Sequence, residues 1–367
     1  MNDLTTAADQ LAARLSGGGF ALCVHGPQGE RLHLARGENG HGLPWSRDTL
    51  APVWSTTKGP AAAALLVLLE RHGLPLQTPV RQVWPQFHHT TTLEELLSHQ
   101  AGLAAPDVEC SVFDHAAVST ALAQQPPNWP PGTGHGYHPR TFGFLLDEIA
   151  RRLTGRRLGE FWQREIAAPL GLDFFIGLPE SEFPRVAKVS AGRARPRPEE
   201  GAFITSYMQA GGLTRRAFDS LKGLNAVFEF NHPDAWRCAS PAFGGVGSAA
   251  GIAAFYAALT NARTPFSTAT AALAETEITS GQDRILHTLT SFSAGFQKDP
   301  FREDGVPVRR LFGGSRRAFG HPGAGGSFGF ADPDRKTGVG FVLNVLEPGL
   351  FPAEDVRAMV ELSLTFP

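Results

Sequence analysis

Apolar residues recur at helical spacing over residues 4 to 15, and two β-like runs follow, Phe20-Ala-Leu-Cys-Val-His25 and Arg31-Leu-His-Leu-Ala35. The turn Gly26-Pro-Gln-Gly29 joins them, so the pattern predicts a helix followed by a hairpin. Residues 61 to 70 are an alanine- and leucine-rich block of high helix propensity, closed by Gly73 at a C-cap position and broken by Leu74-Pro-Leu-Gln-Thr-Pro79. This predicts a buried helix ending near residue 72. From about 76 to 235 the signals are mainly helical, at 93 to 98, 142 to 153 and 158 to 166, with proline-rich joints such as Gln125-Pro-Pro-Asn-Trp-Pro-Pro131. A further helix is predicted over 252 to 259. Two strands follow, Ser327-Phe-Gly-Phe330 and Val339-Gly-Phe-Val-Leu-Asn344, joined by the turn Asp332-Pro-Asp-Arg335, and then a closing helix over 352 to 364. Strands near both ends of the chain imply one sheet built from both ends, with a helical part inserted between them.

Composition narrows the class. A chain of 367 residues with 42% hydrophobic and 19% charged residues is an ordinary globular protein, long enough for two unequal lobes. Lys plus Arg (33) nearly balances Asp plus Glu (35), so no net field draws it to nucleic acid or to an anionic membrane. The arginine-dense stretches 193 to 197 and 309 to 317 are broken by Pro, Gly or Ala and read as solvated loop. The first residues carry two acids and no apolar segment behind a positive start, so a cytoplasmic location is expected. The longest apolar stretch, 61 to 69, is half the length of a membrane span. Three widely spaced cysteines, Cys23, Cys110 and Cys238, fit reduced thiols, and none has a catalytic flanking signature. His88-His89 lack a third ligand at metal spacing and read as loop residues; no metal and no cofactor are implied.

Candidate chemistry begins at Ser55-Thr-Thr-Lys58, at the head of the predicted 61 to 70 helix. Residues three apart share a helical face, so the Lys58 amine reaches the Ser55 hydroxyl. Pro60 is tolerated only in a first turn, which suggests a tight 3₁₀-like turn aligning the two side chains more closely. A serine alcohol is a poor nucleophile near neutral pH, and burial of the lysine lowers its pKa towards that of a proton acceptor. N–H groups at a helix start also face charge developing on an attacked carbonyl oxygen. Alone, the pair is better explained by a capping serine beside a surface lysine.

Other segments decide between these. Val53-Trp-Ser-Thr-Thr-Lys-Gly59, Thr92-Leu-Glu-Glu-Leu-Leu-Ser-His-Gln-Ala-Gly-Leu103, Tyr137-His-Pro-Arg-Thr-Phe-Gly143, Glu148-Ile-Ala-Arg-Arg-Leu-Thr-Gly155, Phe243-Gly-Gly-Val-Gly-Ser248 and Phe319-Gly-His-Pro-Gly-Ala-Gly-Gly326 occur in order along most of the chain. Together they resemble the serine β-lactamase, penicillin-binding protein and esterase superfamily, especially class C-like β-lactamases and family VIII carboxylesterases. The resemblance implies an α+β fold of the β-lactamase/DD-peptidase type: an antiparallel sheet flanked by helices (1 to 75 with 236 to 367), a mainly helical second lobe (76 to 235), and an active site in the cleft between them. It also implies roles. Ser55 is the acylated serine, Lys58 its helix partner, and Tyr137 the phenol that relays the serine proton to the leaving alkoxide. Whether Lys58 or Tyr137 is the general base stays open at this point. His321-Pro322-Gly323 stands where lactamases carry Lys-Thr-Gly, and the Ala324 N–H, with that of Ser55, forms the oxyanion hole. His99 is a packing or turn residue.

Two departures favour esters over β-lactams. Pro139 replaces the asparagine of the lactamase Tyr-x-Asn motif, and His321-Pro322 replaces the Lys-Thr pair that holds a penicillin carboxylate. The expected activity is therefore two-step hydrolysis of a small carboxylic ester through an acyl-enzyme on Ser55. Acyl transfer to another acceptor, β-lactamase or DD-peptidase activity, and a non-catalytic binding protein on the same fold are the alternatives. Two decoys are set aside. Lys336-Thr-Gly338 falls in a turn between strands, where its side chain points to solvent. Gly325-Gly-Ser-Phe-Gly329 matches the G-x-S-x-G nucleophile elbow, but Ser327 opens an apolar run ending in a Pro-Asp turn, not a strand-to-helix elbow. Trp129, Trp162, Phe174 and Tyr207 are candidates for a pocket wall or for core.

Overall fold

The strands that support the site come from distant parts of the chain. The computed structural model describes residues 2–194 and 197–366, so the arginine stretch 193 to 197 lies partly outside the described residues. Near the start, β1 (Gly19–Gly26) and β2 (Gly29–Gly37) form the expected hairpin. From the second half come β3 (Thr279–Gln282), β4 (Leu289–Phe292), β5 (Gln297–Lys298), β6 (Phe319–Pro322), β7 (Phe328–Asp332) and β8 (Thr337–Leu343). They make one eight-stranded sheet in the order β2-β1-β8-β7-β6-β5-β4-β3, antiparallel at every pairing. Phe20 lies opposite Leu343 and Cys23 opposite Gly340.

Five helices support this sheet and the site: α1 (Asn2–Arg14), α2 (Lys58–Arg71), α3 (Thr141–Thr154), α4 (Ala249–Thr260) and α5 (Glu354–Ser363). Strand alternation divides the sheet's side chains between two cores. Phe20, Leu22 and Val24, with Phe328, Phe330, Val339 and Phe341, pack against Leu4, Ala8 and Leu11 of α1, Leu15 just after it, and Val356, Met359 and Val360 of α5. The spacing of those α1 residues is a single helical stripe. On the other face Ala21 and Cys23 meet Ile252, Ala253 and Tyr256 of α4. Glycines let α4 lie directly on the strands. A Cβ at Gly340 would sit 2.2 Å from the Ala249 carbonyl oxygen, and one at Gly338 would sit 2.1 Å from that of Ala253. Helix α2 is buried without interruption from Lys58 to Leu69, which is why its sequence is apolar on every side.

Between these parts the chain is mainly helical. Leu93–Leu97 opens with a capping box of Thr92 and Glu95, α3 ends at Gly155 with φ 72°, and Leu158–Trp162 runs on through a wider π-helical turn to Ala167. Short pairings tie this region to the rest: Phe174–Ile176 and Ala51–Pro52 flank Gly245–Gly247, and Ser190–Ala191 pairs with Val345–Leu346. Among the described residues no helix is long and apolar enough to cross a membrane.

The structure adds strands that the hydrophobic pattern does not announce. β3, β4, β5 and β6 are two to four residues long and read Thr-Ser-Gly-Gln, Leu-Thr-Ser-Phe, Gln-Lys and Phe-Gly-His-Pro, without apolar alternation. Pairing with neighbouring strands, not intrinsic preference, makes them extended. The stretch 309 to 317 also departs from a simple solvated loop. Arg310, Arg316 and Arg317 are exposed, but the Arg309 guanidinium lies 4.4 Å from the centre of the Phe351 ring and donates to the Leu289 carbonyl at 2.6 Å.

Candidate active site

The residue before Ser55 is held in an unusual conformation. Trp54 has φ 47° and ψ −127°, costly for a residue with a bulky Cβ, and such strain persists only where the surroundings impose it. Here they do. The Trp54 ring packs 4.2 Å from that of Phe230, Trp54 bridges to Gly244, and Val53 N–H donates to the Gly245 carbonyl at 3.0 Å. Ser55–Thr57 form one 3₁₀ turn, α2 begins at Lys58, and Pro60 falls in its first turn. The two intervening threonines anchor the turn: Thr57 Oγ1 donates to the Trp54 carbonyl and accepts from Gly245 N–H, and Thr56 Oγ1 donates to the Ser327 carbonyl.

Lys58 is fully buried with Nζ 3.1 Å from Ser55 Oγ, 2.7 Å from the Pro139 carbonyl and 2.9 Å from that of Ala242. Burial, reinforced by the positive charge of Arg140, holds its pKa well below the usual lysine range. A neutral amine has two N–H bonds and one lone pair. The two carbonyls take the N–H bonds, leaving the lone pair for the Ser55 hydroxyl proton.

Tyr137 completes the group. Its phenol hydrogen-bonds Ser55, its ring centre lies 4.8 Å from Lys58 Nζ, and burial pushes its pKa up, so it remains a protonated phenol. Around it stand His99 at 5.0 Å, His321 at 5.8 Å and Phe292 at 6.3 Å between ring centres. His99, with φ 61°, is fully buried and accepts the His138 N–H on Nδ1. Burial drives the pKa of His138 and of His321 down to about 3 and that of His99 well below its usual value. These imidazoles are therefore uncharged at neutral pH.

The segment 319 to 324 reaches Ser55 from the sheet. His321 on β6 is buried, with Nδ1 donating to the Pro322 carbonyl at 2.8 Å. A Cβ on Gly323 would lie 2.2 Å from the Val53 carbonyl oxygen, so only glycine lets this strand end touch the Ser55 turn. Ala324 and Ser55 share the wall of a cavity of about 180 Å³, whose apolar part is Trp54, Phe218, Phe230 and Phe243. Arg140 and Tyr207 also face this cavity. Arg140 is 6% exposed, stacks on Phe243 and donates to the carbonyls of Phe218, Leu221, Gly223 and Leu224; burial lowers its pKa to about 10.

The structure thus brings Ser55, Lys58, Tyr137 and Ala324 together, with Gly323 at the contact and His321 against Tyr137. The decoys lie elsewhere. Lys336 is exposed in the β7–β8 turn with φ 53°, and Ser327 is buried just before β7, with no helix following it. Trp162 and Phe174 pair in the core at 5.8 Å, and Trp129 packs in the buried cluster that contains Tyr137. His89 bonds the Leu122 carbonyl, the three cysteines are free, and the described residues contain no group of three or more potential metal ligands. The motif pattern missed the carbonyls of Pro139 and Ala242, because a main-chain acceptor carries no side-chain signature. It also gave no role to Arg140 and Phe243, although both stand in the motif segments.

The chain is similar to the esterase/beta-lactamase LipL of Mycobacterium tuberculosis, 29% identical over 353 residues that span 90% of this chain and 77% of that one. It superposes on a penicillin-binding protein homolog from Caulobacter crescentus with TM-score 0.85 and 29% identity, covering 100% of this chain and 97% of the other. A family VIII carboxylesterase gives TM-score 0.82 and 28% identity, with 98% and 96% covered. The Beta-lactamase family model matches residues 5–363, and by that near-complete match the chain belongs to the Beta-lactamase family.

Proposed function

We propose that this protein is a serine carboxylesterase acting on small esters, with Ser55 as nucleophile, Lys58 as the base that takes its proton, and Tyr137 as the acid that protonates the leaving alkoxide. The observation that carries this is the Lys58 amine: both N–H bonds are engaged by carbonyls, and its remaining neighbour is Ser55 Oγ at 3.1 Å. In acylation Ser55 Oγ bonds to the carbonyl carbon and its proton passes to Lys58. The C–O bond to the alcohol then breaks as a proton passes from Tyr137 to the departing oxygen, and Lys58 restores the phenol. Water repeats the sequence to release the acid. N–H groups of Ser55 and Ala324 receive the oxyanion. The site occupies the cleft between a lobe of residues 1–75 with 236–367 and a mainly helical lobe of 76–235.

Esters are favoured over β-lactams for a physical reason. His321, in the place of the lactamase lysine, is an uncharged imidazole and offers no cation to a penicillin carboxylate. The cavity of about 180 Å³ suits a small acyl or alcohol group. Hydrolysis of p-nitrophenyl acetate, butyrate and octanoate is compared with that of a chromogenic cephalosporin, in wild type and Ser55→Ala. The expected outcome is ester turnover that falls by about 10⁴-fold or more in the mutant, with little cephalosporin cleavage. Full turnover by folded Ser55→Ala would overturn the assignment.

A further inference from the structure

Tyr137 lies in the irregular segment between residues 135 and 140, so no helix or strand ladder fixes where its phenol points. Its main-chain N–H instead goes to a carboxylate: Asp283 Oδ1 and Oδ2 are each 3.1 Å away. Asp283 is fully buried in the turn of the β3–β4 hairpin, where it also accepts the N–H groups of Ile285 and Leu286 at 2.8 Å. A further donor is the Thr290 hydroxyl at 3.0 Å. Having spent its proton there, Thr290 Oγ1 can only accept from His135 Nε2 at 2.8 Å, so His135 Nδ1 accepts from the Thr279 hydroxyl at 3.0 Å. His135 precedes Tyr137 by two residues, and its carbonyl takes the Arg284 N–H at 3.2 Å. The catalytic segment is thus pinned at both residues to one hairpin. From that hairpin Phe292 also lies parallel to the Tyr137 ring, 6° between planes.

We propose that Asp283 is the positioning residue that aims the Tyr137 phenol at the reacting oxygens, holding the Tyr137 backbone directly and the His135 side chain through Thr290. A carboxylate suits the task because two acceptor oxygens can meet all these donors at once, and charge-assisted bonds hold geometry more tightly than neutral ones. This rests on the assignment of Ser55, Lys58 and Tyr137 above.

The test uses the leaving group. p-Nitrophenolate departs without a proton, whereas ethoxide needs one, so an aim defect in Tyr137 slows ethyl butyrate cleavage far more than p-nitrophenyl butyrate cleavage. Asp283→Asn is expected to lower kcat/KM, which reports acylation alone, by at least about tenfold for the ethyl ester, with kcat/KM for the p-nitrophenyl ester much less affected; the deacylation shared by both esters does not enter that comparison. Tyr137→Phe should show the same selectivity more strongly, and adding Asp283→Asn to it should cause little further loss. Thr290→Val, which cuts the link to His135, gives a weaker version of the pattern and serves if Asp283→Asn does not fold. Equal loss of kcat/KM for both esters, or an effect that multiplies with that of Tyr137→Phe, would show that Asp283 only supports the fold. Turnover surviving in Ser55→Ala would instead remove the underlying assignment.

Discussion

Lys58 and Lys298 are both buried, and each spends N–H bonds on two main-chain carbonyls, Pro139 and Ala242 for one, Arg317 and Ala318 for the other. Their electrostatic surroundings differ. Around Lys298 burial brings the pKa down to about 8, and Glu275, Glu277 and Asp299 resist that fall, with Arg317 a smaller push in the same direction as burial. Around Lys58 the named charge is Arg140, which pushes in the same direction as burial. Burial depresses both, but Lys298 is ringed by carboxylates that oppose it, whereas Lys58 has no opposing charge named beside it and has a serine hydroxyl in reach, as the proposed base requires. A buried lysine is therefore a catalytic candidate through what surrounds it, not through depth alone.

The contrast is broken most directly by removing each amine. Lys58→Ala should lower kcat for p-nitrophenyl butyrate by about 10²–10⁴-fold, while Lys298→Met leaves it essentially unchanged. Comparable losses in both would erase the distinction.

A smaller effect sharpens it. In the proposed role Lys58 works as the free amine, so activity is expected to rise with pH through its depressed pKa and to be lost as the amine gains a proton. Arg140→Gln removes the cation that helps keep it deprotonated, so the acid limb of kcat/KM moves to higher pH: activity falls at neutral pH and recovers in alkali. Arg140→Lys keeps the charge and should hold the limb in place. An unmoved limb in Arg140→Gln would mean that burial alone sets the base.

The smallest effect concerns stability. Folded Lys298 titrates at about 8 and an unfolded lysine at 10.5, so between these values the unfolded chain binds the extra proton and stability rises with pH. The difference amounts to about 3 kcal/mol across that window. Buried Cys23, Tyr137 and Tyr256, whose pKa values burial raises, give the opposite slope in the same window, so the comparison is differential: the urea midpoint of wild type relative to Lys298→Met should climb across it, and a constant difference would contradict the assigned shift. Lys58 adds a slope of the same sign as Lys298.

How much of this could be seen in the chain beforehand depended on the kind of signal. Ser55, Lys58 and Tyr137 stand in short linear motifs, and Pro60 announces the tight turn because its ring excludes it from a helix interior. The buried α2 and the β1–β2 hairpin follow from apolar pattern and turn residues. Asp283 could not be recognised, because Gly281-Gln-Asp-Arg284 is ordinary turn chemistry until folding places Tyr137 N–H against it. β3 to β6 were hidden for a related reason: they are extended through their neighbours, and a four-residue strand ending in Pro322 has no periodicity to read. His321 was legible as a position but not as a state, since its loss of charge comes from burial beside Lys58.

The strand order of the sheet has a consequence for synthesis. β1 is paired on one side by β2 and on the other by β8, so a chain emerging from the ribosome must be made through residue 343 before the sheet can close. Ser55 and Lys58 leave early, but Ala324 and the Gly323 contact arrive some 270 residues later, and Asp283 shortly before them. A nascent chain carrying the proposed nucleophile is thus unarmed for most of its translation. Non-local pairing of this kind also folds slowly, leaving the β1–β2 hairpin with an open edge that a chaperone or a second chain can find first.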